Sequence, residues 1–258
     1  MRPESITAIV PVYRNDFDAM KRLLVSMAEY WKADQLAEII VILNEKYSYR
    51  QEWNNILDEI ENLMPCNVRR MWANELDPEM EQYDWYSQQM IKILIAEKVK
   101  TDWYIIHDAK DYYIGHCDMT HWFDDNGRAL GCVNPYEPVQ HNSGPGIFEA
   151  EYTRAYRLWN MDFRNYRGYM LKYTTPFIVR TETACDMIKD LKEKFQTLFY
   201  QLLYLQINHK PAYTEFALIS AYVTYRGQIQ RDYAHGELSQ HTWHYRVKQS
   251  KNLRRKIQ

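Results

Sequence analysis

The sequence predicts an α/β fold built on a mostly parallel central sheet flanked by helices, and three observations predict it. Apolar runs rich in β-branched residues, such as ITAIVPVY from Ile6 and AEIIVILNE from Ala37, have the pattern of strands covered on both faces. Segments with apolar residues at helical spacing lie between these runs. Each run then gives way to polar residues at its C-terminal end, where ligands of open α/β sheets bind.

Taken in order, the first strand is stopped by Pro11, and DFDAMKRLLVSMAEYW follows as a helix with Met20, Leu23, Leu24 and Met27 on one face behind acidic N-terminal residues. The second strand ends at Asn44 and Glu45. A helix around EWNNILDEIENLM and a short strand near CNVRRMWA come next. DWYSQQMIKILIAEKV is a third helix and delivers the chain into the strand DWYIIHDAKD. This alternation through the first 110 or so residues argues for a doubly wound sheet. Beyond it the pattern is less regular. YTTPFIVRTETACDMIKDL reads as turn, short strand and helix, and PAYTEFALISAYVTYRG as a capped helix ending at Gly227.

At 258 residues the chain is long enough to bury a substantial core, and no repeat, low-complexity block or linker divides it, so one domain is expected. The balance of 32 basic against 34 acidic residues gives no field suited to general nucleic-acid binding. The four cysteines, Cys66, Cys117, Cys132 and Cys185, are too scattered for a zinc or disulfide framework, which fits a reducing, cytoplasmic compartment. No apolar run is long enough for a transmembrane segment. The tail from residue 246 to 258 concentrates positive charge and is expected to be a solvated terminus.

The chemistry-bearing residues gather at predicted strand ends. Asp108 and Asp111, with Lys110 between them, can hold a hard divalent cation while leaving positions for water and phosphate oxygens; a solvated strand terminator is the plain alternative. On the preceding helix Gln88, Gln89 and Lys92 lie within a turn of one another, and Gln88 and Lys92 share a face that can point to the same edge. Glu215 opens a helix, where the N-terminal dipole lowers a carboxylate pKa and a closed pocket raises it. It is either an ordinary helix-start acid or a general base. His107 is expected to face away from Asp108 as a satisfied core histidine. Motifs of serine hydrolases, P-loop enzymes and dinucleotide-binding enzymes are absent from the sequence.

ITAIVPVYRND, AEIIVILNE and a strand closing on an Asp-x-Asp-like element together look like the nucleotide-sugar half of GT-A glycosyltransferases. The order WYSQQMIKIL, DWYIIHDAKDYYI, TTPFIV, YTEFALISAYV resembles a largely uncharacterised family of GT-A-like proteins of bacteria and phages, from about Ile6 to about His244. That resemblance implies a single GT-A, Rossmann-like domain with a nucleotide-binding half at 1–115, an acceptor-side half at 116–245 and the basic tail at 246–258. It implies a donor site of Pro11, Tyr13, Arg14, Asn44, Glu45, Gln88, Gln89, Lys92, Asp108, Ala109 and Lys110, with Tyr13 and Arg14 near the nucleobase and ribose. Thr175 and Pro176 fall where such enzymes line the sugar and acceptor, and Glu215 falls on the catalytic base of inverting members. A metal, Mn²⁺ or Mg²⁺, is assigned to Asp108, Asp111 and a late histidine, His235, His241 or His244, with His244 carried forward.

Lys110 departs from the pattern, because it stands where a strict Asp-x-Asp has its second acid. Either the chain turns after Asp108 and brings Asp111 in as the second ligand, or the ammonium itself offsets the leaving diphosphate. The expected activity is transfer of a sugar from a nucleoside-diphosphate sugar, UDP-linked by family habit, to a saccharide or other hydroxyl acceptor with inversion. A nucleotidyltransferase and a catalytically inactive nucleotide- or sugar-binding module are the alternatives; the first lacks its glycine-rich loop after the first strand, and Lys110 argues for the second.

Overall fold

A computed structural model describes residues 1–78, 85–133, 146–166, 170–171, 175–195, 214–235 and 247–249. Strand β1 (Ile6–Val12) is buried at all seven positions, and it lies between β2 (Leu36–Leu43) and β4 (Trp103–Ile106). With β3 (Asn67–Trp72) and β8 (Phe177–Arg180) they form a five-stranded sheet in the order β3-β2-β1-β4-β8. The first four strands run parallel and β8 runs antiparallel to β4, so the fold class expected from the sequence is the one observed.

The helices between these strands form where apolar side chains recur at helical spacing. In α1 (Phe17–Tyr30) Met20, Leu23, Leu24 and Met27 are fully buried, and in α2 (Arg50–Glu61) Trp53, Leu57 and Ile60 are. Helix α3 (Trp85–Leu94) packs on α5 (Thr181–Phe195) and on α6 (Glu215–Tyr225), and α6 also packs on α4 (Gly146–Leu158). Most of α6 is buried, polar residues Glu215 and Ser220 included, so it runs through the interior rather than along its surface. Thr214 caps its start by accepting from the Ala217 amide at 3.2 Å. Gly227, at φ 65°, ends it in the left-handed conformation that a glycine takes without strain.

Around this core lie β5 (Asp111–Tyr113), β6 (Ala129–Val133), β7 (Met170–Leu171), the short helix α7 (Ile229–Asp232), β9 (Tyr233–His235) and β10 (Val247–Gln249). Strands β7, β6 and β9 make a second, three-stranded sheet, and β10 pairs antiparallel with β5. Val247–Gln249 therefore belongs to a strand and not to a solvated tail, because Asp111–Tyr113 presents a free edge to it.

Pro11 does not stop β1. Residue Ile9 faces β4, since its carbonyl accepts from the His107 amide at 2.9 Å, and Pro11, two residues on, faces the same way. Pairing with β4 has ended at Ile9 opposite Ile106, so the missing proline N–H removes no ladder bond and the strand continues to Val12 along β2. No helix among the described residues is long and apolar enough to cross a membrane, and Cys66, Cys117 and Cys185 are free thiols.

Candidate functional site

The strand order defines where a site is to be sought. Chain connections leave β1 toward β2 on one side and reach β4 on the other, so the crevice past the C-terminal ends of β1 and β4 is the topological switch point. Two turns face it. After β1, residues Arg14–Asp16 make a single 3₁₀ turn; after β4, the chain reverses at once, with the Asp111 amide donating to the Asp108 carbonyl at 2.8 Å. Lys110 Nζ crosses between the turns to Asp16 Oδ2 at 3.0 Å.

The reversal decides what each acid does. Asp108 Oδ1 accepts from the Lys110 amide at 3.1 Å and so fixes the turn that aims the lysine. Asp111 folds back beneath it: one oxygen, Oδ2, accepts from the Asp108 amide at 3.0 Å and lies 3.6 Å from His107 Nδ1. Asp111 is buried, while Asp108 and Lys110 keep contact with solvent. His107 is wholly buried, as expected, with Nε2 3.1 Å from the Tyr113 hydroxyl, but its Nδ1 has no hydrogen-bond partner among the described residues, so it is only partly satisfied. Ala109 is buried within the turn.

The sequence assigns a metal to this turn. Among the described residues no group of three or more His, Cys, Asp and Glu side chains converges to hold a cation. Asp111 spends its Oδ2 on the backbone of the same turn, and the intervening Lys110 brings a positive charge to the opening. The described residues thus bring two carboxylates and no third ligand to this turn, with Asp111 Oδ1 unpartnered among them. His241 and His244 lie outside the described residues, and His235 closes β9.

A second, buried cluster draws on two helices besides α3. Lys92 on α3 meets Glu215 at the start of α6, Nζ to Oε1 2.6 Å, with side chains 7% and 0% exposed. Lys92 also stands over the Phe216 ring, 5.4 Å from its centre, and its own carbonyl accepts from the Tyr104 hydroxyl at 3.1 Å, which ties α3 to β4. Burial pushes the Glu215 pKa up, the Lys92 charge and hydrogen bond pull it back, and the charge of Asp108 adds a further push upward. Glu215 therefore feels the turn after β4 as well as the lysine.

Glu151, buried on α4 with Tyr152 and Ala155, is the third member. Its pKa is pushed up to about 7, first by burial and then by the Glu215 charge, against a hydrogen bond from the Thr214 side chain. Neither Glu151 Oε2 nor Glu215 Oε2 has a hydrogen-bond partner among the described residues.

Other expected donor residues are placed as follows. Asn44 is fully buried, takes the Ser87 hydroxyl of α3 on its Oδ1 at 3.1 Å, and thus braces the helix that carries Lys92. Gln89 donates to the Trp85 carbonyl of its own helix at 3.0 Å, whereas Gln88 is half-buried. Tyr13 caps the turn after β1 through its carbonyl, and Glu45 accepts from the Lys46 amide. Arg14 turns away toward α2, where it pairs with Glu52 at 3.1 Å and stacks over Tyr49. Thr175 and Pro176 are joined by a cis peptide directly ahead of β8. The structure thus brings Asp108, Lys110, Lys92 and Glu215 to one region and leaves Arg14 on a neighbouring surface. Glu151 and Asp16 went unnoticed in the sequence. An acid on the inward, aromatic face of a helix was the available signal for Glu151.

The profile of DUF6492, a family of unknown function, matches residues 4–252. No curated protein sequence matches the chain. Similar solved structures include mouse xyloside xylosyltransferase 1 in its apo form, TM-score 0.49 at 11% identity over 88% of this chain and 84% of that one. S. aureus TarS gives a TM-score of 0.41 at 17% identity over 71% of this chain, which spans 29% of the TarS chain. TarS 1–349 in complex with UDP gives 0.42 at 15% identity over 70% of this chain and 48% of that one.

Proposed function

The chain belongs to the DUF6492 family, and we propose that it is a glycosyltransferase that moves a sugar from a UDP-sugar to a hydroxyl acceptor with inversion at the anomeric carbon. The observation that carries this reading is the buried pairing of Glu215 with Lys92, within reach of the charge of Asp108 at the end of β4 in a mostly parallel sheet. A carboxylate raised by burial yet held by a lysine combines basicity with a fixed direction, as a general base requires. The sequence resemblance to GT-A enzymes points to the same residue.

In this mechanism the donor diphosphate lies across the turns after β1 and β4. Glu215 takes the proton of the acceptor hydroxyl; the freed oxygen bonds to the anomeric carbon as the bond from that carbon to the diphosphate oxygen breaks, and UDP leaves with the bonding pair. Lys110, released from Asp16, offsets the charge that develops on the diphosphate. Asp108 holds the turn that aims Lys110. Lys92 keeps Glu215 in place and limits the rise of its pKa.

Titration with UDP, with and without Mn²⁺, followed by a donor-consumption screen over UDP-sugars and saccharide acceptors, tests the proposal. The expected result is UDP binding that weakens in Asp108→Ala and sugar transfer for at least one donor. UDP affinity untouched by Asp108→Ala removes the site assignment, and binding without turnover favours an inactive binding module, the reading to which the Lys110/Asp16 pair lends itself.

A further inference from the structure

We infer that Glu151 and Glu215 together hold two neighbouring hydroxyl groups of the acceptor, which makes the acceptor a saccharide or similar vicinal diol rather than an isolated alcohol. The inference deepens the glycosyltransferase reading and rests on it. Glu151 is 6% exposed and Glu215 is not exposed at all, yet each keeps one carboxylate oxygen, Oε2, without a donor among the described residues. Buried acceptors are nearly always satisfied, and an unsatisfied one costs more than a hydrogen bond returns, so two in one cluster point to donors brought by a ligand.

Their placement narrows the ligand. Helix α4, which carries the buried Glu151, packs on α6, whose first residue is the buried Glu215, so the two helices bring the carboxylates into one part of the interior. They are close enough for the charge of Glu215 to act on Glu151. Lys92 already supplies an ammonium on Glu215 Oε1, so the two unpartnered oxygens are left as acceptors that neutral hydroxyl groups can fill. Adjacent hydroxyls of a pyranose present two such donors side by side: Glu215 receives the one that attacks, and Glu151 accepts a hydrogen bond from its neighbour and sets the sugar's orientation. Removal of such an acceptor from a site built around hydroxyls lowers affinity strongly, because the polar partner is left unpaired.

The experiment is a titration of the UDP-saturated full chain with free hexoses, and separately with 1-propanol as a lone alcohol, in the wild type and in Glu151→Gln. At least one hexose is expected to bind the wild type and to bind Glu151→Gln about tenfold more weakly, with UDP affinity unchanged and 1-propanol not bound by either. Thermal melts of both proteins at pH 8 establish that the variant is folded, and Glu151→Asp, which keeps both acceptor oxygens where Gln exchanges one for a donor NH2, serves as a second variant expected to recover part of the affinity. Equal hexose affinity in wild type and Glu151→Gln, or no hexose binding to protein that does bind UDP, overturns the inference while leaving the proposed function standing. Failure to bind UDP removes both.

Discussion

Lys92 and Lys110 each hold a carboxylate from a distant part of the chain, but Lys92 does so away from water and Lys110 at its edge. The Lys92/Glu215 contact is 2.6 Å with side chains 7% and 0% exposed; the Lys110/Asp16 contact is 3.0 Å with side chains 39% and 13% exposed. The chemistry is the same and the surroundings differ. A pair in contact with water contributes about 0–1 kcal/mol and exchanges partners readily. Breaking a buried pair by removing one member costs about 3–5 kcal/mol, since the other charge is stranded. The protein thus has a fixed, buried pair and a more exposed one, to which the proposed function gives the orientation of a base and the contact to a diphosphate.

The largest expected effect breaks the fixed pair. Lys92→Met strands Glu215 and should destabilise the protein by about 3–5 kcal/mol in urea denaturation, while Lys92→Met combined with Glu215→Gln recovers most of that loss. Additive losses in the double variant would mean that the pair is not the unit described.

A smaller effect reads the third carboxylate. Glu151 has a folded-state pKa of about 7 against an ordinary 4.5, so the folded protein binds the proton more tightly than the unfolded chain does. Its contribution to stability is full below pH 4.5 and is lost as pH rises through 7. Glu151→Gln should remove that slope, matching the wild type near pH 4 and exceeding it at pH 8 by about 2 kcal/mol in chemical denaturation across that range. An unchanged slope would place Glu151 in contact with water.

The smallest effects on stability belong to the more exposed pair. Lys110→Ala and Asp16→Ala should each shift stability by less than about 1 kcal/mol, yet act oppositely on UDP affinity by calorimetry, the first lowering it about tenfold and the second raising it. A shift of UDP affinity in the same direction for both would show that the lysine does not change partners.

The two regions were unequally legible in the sequence. The sheet could be read because β-branched runs and helical spacing are local patterns, and the polar turn that ends β4 stood out for the same reason. Lys92 and Glu215 were each singled out, but their union was not, since 123 residues separate them and only the packing of α3 on α6 joins them. Of the two readings open for Lys110, the turn directly after Asp108 is present, and it carries Asp111 under the turn, where its Oδ2 accepts from the Asp108 amide. Arg14 has the right type and position for a nucleotide ligand, but Glu52 and Tyr49 on the next elements compete for it. Glu151 was hidden within a segment dominated by aromatic residues.

Sugar transfer by Glu215→Gln measures the central claim most directly. The substitution keeps the shape of the side chain and removes the base, so UDP affinity should stay within about twofold of the wild type while the transfer rate falls at least about 100-fold. Transfer at the wild-type rate by a folded, UDP-binding Glu215→Gln protein would contradict the account.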